Sequence, residues 1–107
     1  MKKKLYPDYG AFLTAFKSSI GSDMQGKLVR SKSGHDKGKF YLVLATADGI
    51  LFLADGRKRG ITNPKKKNIS HVQIVHRVAA DIMNNENKAL PSDLEIRAAI
   101  AKMIKEG

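Results

Sequence analysis

The chain has 107 residues, with 20 Lys and Arg against 10 Asp and Glu, so its formal net charge is +10. This length predicts one domain, because two independent cores would each be too small for useful stability. So large a positive surplus indicates an anionic partner, either nucleic acid or an acidic membrane. The absence of cysteine excludes disulfides, thiolate chemistry and Cys-based zinc sites, and it agrees with a reducing compartment.

The N-terminus begins with MKKK, a basic start of the kind that signal peptides have. Pro7, Asp8 and Lys17 interrupt the apolar core that a signal peptide requires, so we expect no export signal. No uncharged run is long enough to span a bilayer. We therefore predict a cytoplasmic protein without a membrane partner.

The positive charge is concentrated in the middle of the chain. Met24–His76 contains eleven Lys and Arg against three Asp, whereas Arg77–Gly107 contains five basic and five acidic residues. The middle segment is therefore the expected anion-binding unit, and the C-terminal segment has the composition of ordinary solvated surface. A basic surface with no specific partner is the alternative interpretation.

The first predicted element is a short amphipathic helix at Asp8–Ser19, capped by Asp8. Its apolar residues recur at three- and four-residue steps: Tyr9, Phe12, Leu13, Phe16 and Ile20. A helix with one apolar face needs another surface to pack on. We expect residues 1–23 to form an N-terminal helical extension.

From Lys27 the pattern changes to short strands separated by turn signals. The predicted strands are KLVRSK (27–32), KFYLVLAT (39–46), ILFLAD (50–55) and SHVQIVH (70–76). Asp48-Gly49 predicts a tight two-residue hairpin, and Asp55-Gly56 suggests another turn. Several short strands with no helix between them predict a mainly β fold, a small barrel over residues 24–76.

The stretch RKRGITNPKKKN between the last two predicted strands is expected to be irregular. Pro64 and the three lysines after it argue against a central strand. We therefore expect the lysine triplet to lie in an exposed loop.

Both faces of the second predicted strand are apolar. Phe40, Leu42 and Leu44 alternate with a second apolar set, which consists of Tyr41, Val43 and Ala45. A small barrel has only one interior, so the outer apolar face needs a cover. The flanking N- and C-terminal α-helices are the expected cover.

Residues 77–107 are expected to form a linker, which includes the polar stretch NNENKALP (84–91), and a C-terminal helix. Ser92 and Glu95 form a capping box at its start. A wide apolar stripe follows, formed by Leu94, Ala98, Ile100, Ala101, Met103 and Ile104.

The glycines at Gly34 and Gly38 do not form a nucleotide-binding loop. Three residues separate them where a Walker-type loop needs four, and Phe40 occupies the position of the metal-binding hydroxyl. A dinucleotide fingerprint also fails, because these glycines lie between predicted strands rather than at the start of a helix.

Catalytic and metal patterns are also missing. No Ser lies in a nucleophile-elbow pattern. The three histidines are His35, His71 and His76, and no pair of them has the i, i+4 spacing of a helical metal site. We therefore expect no enzyme activity, no metal, no cofactor and no small-molecule substrate.

The stretch GKLVRSKSGHDKGKFYLVLA resembles the KOW motif. It has hydrophobic residues, a Gly-containing loop, a basic residue, the characteristic glycine at Gly38 and a hydrophobic strand. The downstream ADGRKRGITNPKKKNISHVQ is similar to the second half of KOW-domain proteins related to large-subunit ribosomal proteins of archaea and eukaryotes. There a strand ends at Asp-Gly, a basic run follows and an Asn-x-x-His-hydrophobic element closes the barrel, here Asn68, His71 and Val72. The best match is the bacterial set of small KOW-domain RNA-binding proteins.

This resemblance covers Met24 to about Ile74 and implies an SH3-like barrel that binds RNA, specifically rRNA, in association with the ribosome. Gly34 and Gly38 would be the motif glycines. The implied RNA-contacting residues are Arg30, Lys32, Lys37, Lys39, Arg57, Lys58, Arg59, Lys65, Lys66 and Lys67. The chain departs from the family in its N-terminal segment, since relatives begin near Met24; this segment is either an extra helix or a mis-assigned start.

The expected binding mechanism is electrostatic. Lys and Arg displace counterions from RNA phosphates, and Arg can also fork onto phosphate oxygens. The aromatic residues of the predicted strands and first helix are expected in the core, so the sequence favours binding to the shape and backbone of structured RNA.

One alternative remains open, and a second is not favoured. One is a protein–protein adaptor in the translation or transcription machinery, since SH3-like barrels and KOW domains also bind proteins. The other is a binder of acidic membranes, although the chain lacks the basic amphipathic helix that this role prefers.

Overall fold

The computed structural model describes residues 9–79 and 89–106. A short 3₁₀ turn at Ile69–His71 joins the last two strands. The N-cap predicted at Asp8 and residues 80–88 of the predicted linker lie outside the described residues. The helices and strands are α1 (Tyr9–Ser19), β1 (Lys27–Ser31), β2 (Phe40–Ala47), β3 (Ile50–Ala54), β4 (Lys65–Asn68), β5 (Val72–Val78) and α2 (Asp93–Glu106).

The five strands form one antiparallel sheet in the order β4-β3-β2-β1-β5. Asp48 and Gly49 join β2 to β3 with φ angles of 53° and 81°, which confirms the predicted hairpin because both residues of such a turn need positive φ. The sheet curls until the β1–β2 loop meets β4, where Lys67 Nζ donates to the Ser33 carbonyl oxygen at 3.2 Å. The mainly β fold with two flanking helices is thus confirmed.

The lysine triplet forms a strand, so its prediction as a loop is wrong. Lys65 pairs with Leu53 and Lys67 with Leu51 in the antiparallel register of β4 with β3. β4 lies at the edge of the sheet, where charged residues are common. Pro64 comes just before the strand, so its missing N–H removes no bond from the ladder.

The inner face of the curled sheet holds a small apolar cluster, formed by Val29, Tyr41, Val43, Leu51, Leu53 and Val72. Ala45 was predicted on this face but packs with Leu44 in the cluster on the outer face. The cause is a β-bulge between Val43 and Ala45, where the pairing with β3 shifts register. A bulge adds one residue to the strand and reverses the face of the residues that follow.

Helix α1 covers part of the outer face, as predicted. Phe12 is fully buried, and its ring centroid lies 5.5 Å from that of Phe52 in β3. At the end of the helix, Ser19 Oγ accepts a hydrogen bond from the Thr46 N–H at 2.9 Å. The segment before Met24 therefore contributes a helix that belongs to the core.

Helix α2 covers another part of the outer face, where it packs against β2. Ser92 N–H donates to Glu95 Oε1 at 2.8 Å and Glu95 N–H donates to Ser92 Oγ at 3.1 Å, which confirms the capping box. Its buried residues are Ile96, Ile100 and Met103. Four members of the predicted stripe are exposed: Leu94, Ala98, Ala101 and Ile104. Leu94, which is 66% exposed, lies two residues before Ile96 and therefore on the side of the helix away from the buried face, whereas Ile104, which is 44% exposed, lies at the edge of that face. Neither helix in the described residues is long and apolar enough to cross a membrane.

Candidate nucleic-acid interface

The loop between β1 and β2 is built around one buried carboxylate, that of Asp36, which is 7% exposed. Ser31 Oγ donates to it at 2.8 Å and the Tyr41 hydroxyl at 2.9 Å. Lys67 Nζ donates to it at 3.0 Å, and Lys65 Nζ lies 3.6 Å away. A single side chain thus joins the β1–β2 loop to the two lysines of β4 that face the inside of the sheet.

These contacts determine the charge of the cluster. Burial alone would raise the pKa of the Asp36 carboxyl. The hydrogen bonds from Ser31, Lys67 and Tyr41 outweigh this effect, together with the charge of Lys65. The pKa of Asp36 is therefore held well below its ordinary value. Burial and the bond to Asp36 raise the pKa of the Tyr41 phenol well above its ordinary value. At neutral pH the cluster therefore contains a carboxylate ion and an uncharged phenol.

The backbone of the loop is tightly turned. Gly34 and Gly38 have φ angles of +87° and +90°, a region that residues with a Cβ rarely adopt. The Gly38 N–H donates to the Ser31 carbonyl oxygen at 2.8 Å, and the Lys39 N–H donates to that of Asp36 at 2.9 Å. This conformation leaves the lysines of the loop exposed, namely Lys32, Lys37 and Lys39.

Arg30, on the adjoining strand β1, is held against the same loop. Its guanidinium carbon lies 5.9 Å from the centroid of the Phe40 ring, and its Nε donates to the Gly38 carbonyl oxygen at 3.4 Å. A hollow of about 300 Å³ opens beside it, lined by Arg30, Ser31, Lys32, Lys37, Gly38 and Gln73. The structure therefore brings three of the predicted basic residues to one hollow.

Gln73 was missed by sequence reasoning. It lies on β5 directly opposite Arg30 on β1, and it is exposed. Only the pairing of these two strands, which are distant in sequence, brings its amide to the hollow.

The second basic run, Arg57–Arg59, lies in a turn organised by Asp55. The Asp55 carboxylate accepts hydrogen bonds from the N–H groups of Arg57 at 2.8 Å and Arg59 at 3.0 Å. Arg57 and Lys58 are exposed, whereas the Arg59 guanidinium donates to Asn63 Oδ1 at 2.8 Å. The predicted turn at Asp55 and Gly56 is present, and its first two cations face solvent.

Helix α2 holds this turn in place. Asp93 Oδ1 accepts a hydrogen bond from the Ile61 N–H at 2.9 Å, and Arg97 donates to the Gly56 carbonyl oxygen at 3.1 Å. A Cβ on Gly60 would lie only 2.5 Å from Asp93 Oδ2. The helix can approach this closely only because residue 60 is glycine.

The two basic loops meet at Lys39 and Arg57, which line one groove beside α2. The loop between β1 and β2 thus supplies cations to both places: Lys32 and Lys37 line the hollow, and Lys39 lines the groove. The lysines of β4 differ from those of the loop in how much of their side chains is exposed. The side chain of Lys67 is 10% exposed and that of Lys65 27%, and both face Asp36, whereas Lys66 is exposed.

The Asn-x-x-His element forms the corner between β4 and β5. Asn68 Oδ1 accepts a hydrogen bond from the Ser70 N–H at 2.8 Å, and the His71 carbonyl oxygen accepts one from the Lys32 N–H at 2.8 Å. Val72 then enters the inner apolar cluster. The element thereby supports the start of the β1–β2 loop through the backbone of Lys32.

Comparison with known proteins identifies a relative of this chain. The chain is 33% identical over 66 residues to the Bacillus subtilis (strain 168) protein named "Putative ribosome-binding protein YbzG", and the match spans 57% of this chain and 89% of that protein. No family model matches. The share of the relative that is covered shows a common family. This chain therefore belongs to the same protein family as that Bacillus subtilis protein.

Proposed function

We propose that this protein is a ribosome-associated RNA-binding protein, not an enzyme, and that its sheet is an SH3-like barrel of the KOW type. In this proposal the protein binds structured rRNA in the cytoplasm. The sequence resemblance supports the KOW assignment, as does the antiparallel strand order β4-β3-β2-β1-β5. The name of the Bacillus subtilis relative supports an association with ribosomes.

The observation that carries the proposal is the bond between Asp36 and Lys67. This bond of 3.0 Å fixes the loop between β1 and β2 against the sheet. The exposed cations of the loop are therefore held in one arrangement before any ligand binds. A preorganised set of cations loses less conformational entropy when it meets a phosphate backbone than a set on a mobile loop.

We assign the predicted RNA-binding residues two different roles. The exposed ones contact phosphates in this proposal: Arg30, Lys32, Lys37, Lys39, Arg57, Lys58 and Lys66. Arg59, Lys65 and Lys67 act through their neighbours. Arg59 binds Asn63 within its turn, and the two β4 lysines position the loop through Asp36.

Equilibrium binding of the full chain to purified rRNA at several salt concentrations tests this function. If five to seven of the exposed cations each neutralise one phosphate, the slope of log K against log salt is expected to be about −4 to −6. A salt-independent affinity would contradict the proposal.

Sedimentation of a cell lysate through a sucrose gradient tests the ribosomal part separately. We expect the tagged protein to move with ribosomal particles at low salt and to be released from them at high salt, because the contacts are electrostatic. Sedimentation only with the free proteins at the top of the gradient, at low salt, would contradict it.

A further inference from the structure

A groove of about 420 Å³ lies between α2 and the β2 side of the sheet. Its floor and one wall are apolar and are formed by Phe40, Ile100, Ala101 and Ile104. Ile104 is 44% exposed at the rim, so the groove presents aliphatic surface to solvent. The floor continues into the outer core through Ile100, which is buried.

Three cations surround this apolar floor. Lys39 and Arg57 lie on the sheet side and Arg97 on the helix side. Asp55 also lines the groove, and its Oδ1 accepts hydrogen bonds from the Arg57 and Arg59 N–H groups. The surface therefore combines a positive rim with an apolar centre.

RNA is complementary to the cations of this surface but not to its apolar centre. Phosphates would meet the cations, but bases are usually recognised by stacking on aromatic rings or guanidinium planes. The exposed wall of the groove is aliphatic, and the Arg30 guanidinium already lies over the Phe40 ring. A protein segment with carboxylates beside large apolar side chains matches both the rim and the floor.

We propose that this groove is a docking site for an acidic, amphipathic segment of a partner protein. Its apolar side chains lie on Ile100 and Ile104, and its carboxylates lie beside Lys39, Arg57 and Arg97. The proposal does not depend on RNA binding. Because Lys39 and Arg57 also belong to the proposed RNA interface, Ile104 is the residue that separates the two functions.

The test uses a fluorescein-labelled peptide made of Glu-Glu-Leu-Leu repeats, with a Glu-Glu-Ser-Ser peptide of equal length as the probe for charge alone. Fluorescence anisotropy measures binding of each peptide to the full chain. We expect the Leu-containing peptide to bind at least about tenfold more tightly than the Ser-containing one, because only it buries apolar surface.

Ile104→Glu is the test variant and Leu94→Glu its matched control, because both place one carboxylate at an exposed apolar position of the same helix and only Ile104 lines the groove. We expect Ile104→Glu to weaken peptide binding at least about tenfold and Leu94→Glu less than about twofold. Ile104→Asn removes the same apolar side chain without adding a charge beside Lys39 and Arg57, so it should not alter the affinity for rRNA by more than about twofold.

Several results would overturn the proposal. Equal losses in the two variants, or equal binding of the two peptides, would mean that net charge alone attracts the probe. A loss of rRNA affinity in the uncharged variant Ile104→Asn would make the groove an RNA site. A dimer of the wild-type chain that Ile104→Glu dissociates, measured by sedimentation equilibrium, would make the groove a contact between two copies.

The wild-type chain provides a readout that needs no variant. In NMR spectra, titration with the Leu-containing peptide is expected to shift the backbone signals of Phe40, Ala101 and Ile104. Shifts centred instead on Leu94, or spread evenly over all lysines, would contradict a site in the groove.

Discussion

Lys67 Nζ lies 3.0 Å from Asp36 Oδ1, although the two residues are 31 positions apart in the chain. Lys67 is on the edge strand β4 and Asp36 is in the loop between β1 and β2. Since β4 and β1 are not neighbours in the sheet, this ion pair is a tertiary contact that brings the loop to the far edge of the curled sheet. The orientation of the basic loop therefore depends on it.

The first prediction concerns the substitution Asp36→Asn. It removes the negative charge and leaves the nearly buried Lys67 ammonium without its counter-ion. Ser31 donates to Oδ1 and Tyr41 to Oδ2, so the single amide oxygen of Asn can accept from only one of these two hydroxyls. We expect the free energy of unfolding in urea to fall by about 2–3 kcal/mol.

Two comparison variants check this interpretation. Adding Lys67→Met to Asp36→Asn should restore part of the loss, because the buried charge is then absent. Asp48→Asn, in the exposed hairpin turn, should change stability by less than about 0.5 kcal/mol. A double variant that is less stable than Asp36→Asn alone would contradict the assigned role of the pair.

The second prediction is the pH dependence of the same contribution. The pKa of Asp36 is lowered in the folded state, so its contribution is fully present above the unfolded pKa of about 3.9 and is lost as the pH falls below it. The stability difference between the wild type and Asp36→Asn should be constant from about pH 5 to 8 and smaller by about 1 kcal/mol near pH 3. A stability difference between the two proteins that increases as the pH falls would contradict the prediction.

The third prediction concerns Gly38→Val. Because φ at Gly38 is +90°, a β-branched residue there should cost about 1–3 kcal/mol and displace the loop. rRNA affinity should fall with it. Gly10→Ala is the control, since Gly10 lies in α1 with no atom near an added Cβ, and it should be neutral or stabilising by up to about 1 kcal/mol. Native melting together with native affinity in Gly38→Val would show that this glycine has no special role.

The fourth prediction tests how α2 holds the Arg57–Arg59 turn. Gly60→Ala would place a Cβ 2.5 Å from Asp93 Oδ2, so we expect a loss of about 2 kcal/mol or more from overpacking. Combining it with Asp93→Ala removes the carboxylate that clashes, and the double variant should lose less stability than the sum of the two single ones. Additive losses in the four urea unfolding curves would show that the residues do not interact.

Much of the fold follows from local pattern. The Asp48-Gly49 turn, the capping box at Ser92 and the alternation of apolar residues are short-range signals, and the structure contains each of them. The bulge at Val43–Ala45 has no such signal, because nothing in the strand itself marks where the extra residue is accommodated. The face assigned to Ala45 was therefore wrong.

The sequence predicts which residue types form the site, but it does not predict how these residues are arranged in space. The basic runs are evident in the sequence, but their orientation depends on long-range contacts: Asp36 with Lys65 and Lys67, and Asp93 with Ile61. The composition of Met24–His76 counts Asp36 only as one of three acidic residues, although its carboxylate is the buried centre of the loop. Because Lys65 and Lys67 face inward, reversing the whole lysine triplet would disturb the loop as well as any RNA contact.

The most direct test of the account is therefore a charge reversal confined to exposed residues: Lys32, Lys37 and Arg57 to Glu, against a control with Lys17, Lys102 and Lys105 to Glu. Both variants change the net charge equally, and urea unfolding should confirm that both stay folded, since exposed substitutions cost about 0.5 kcal/mol or less each. We predict that affinity for rRNA at moderate salt falls at least about tenfold in the first variant and less than about threefold in the control. Equal losses in the two variants would mean that net charge alone attracts the RNA and that the basic surface around Lys32, Lys37 and Arg57 is not its binding site.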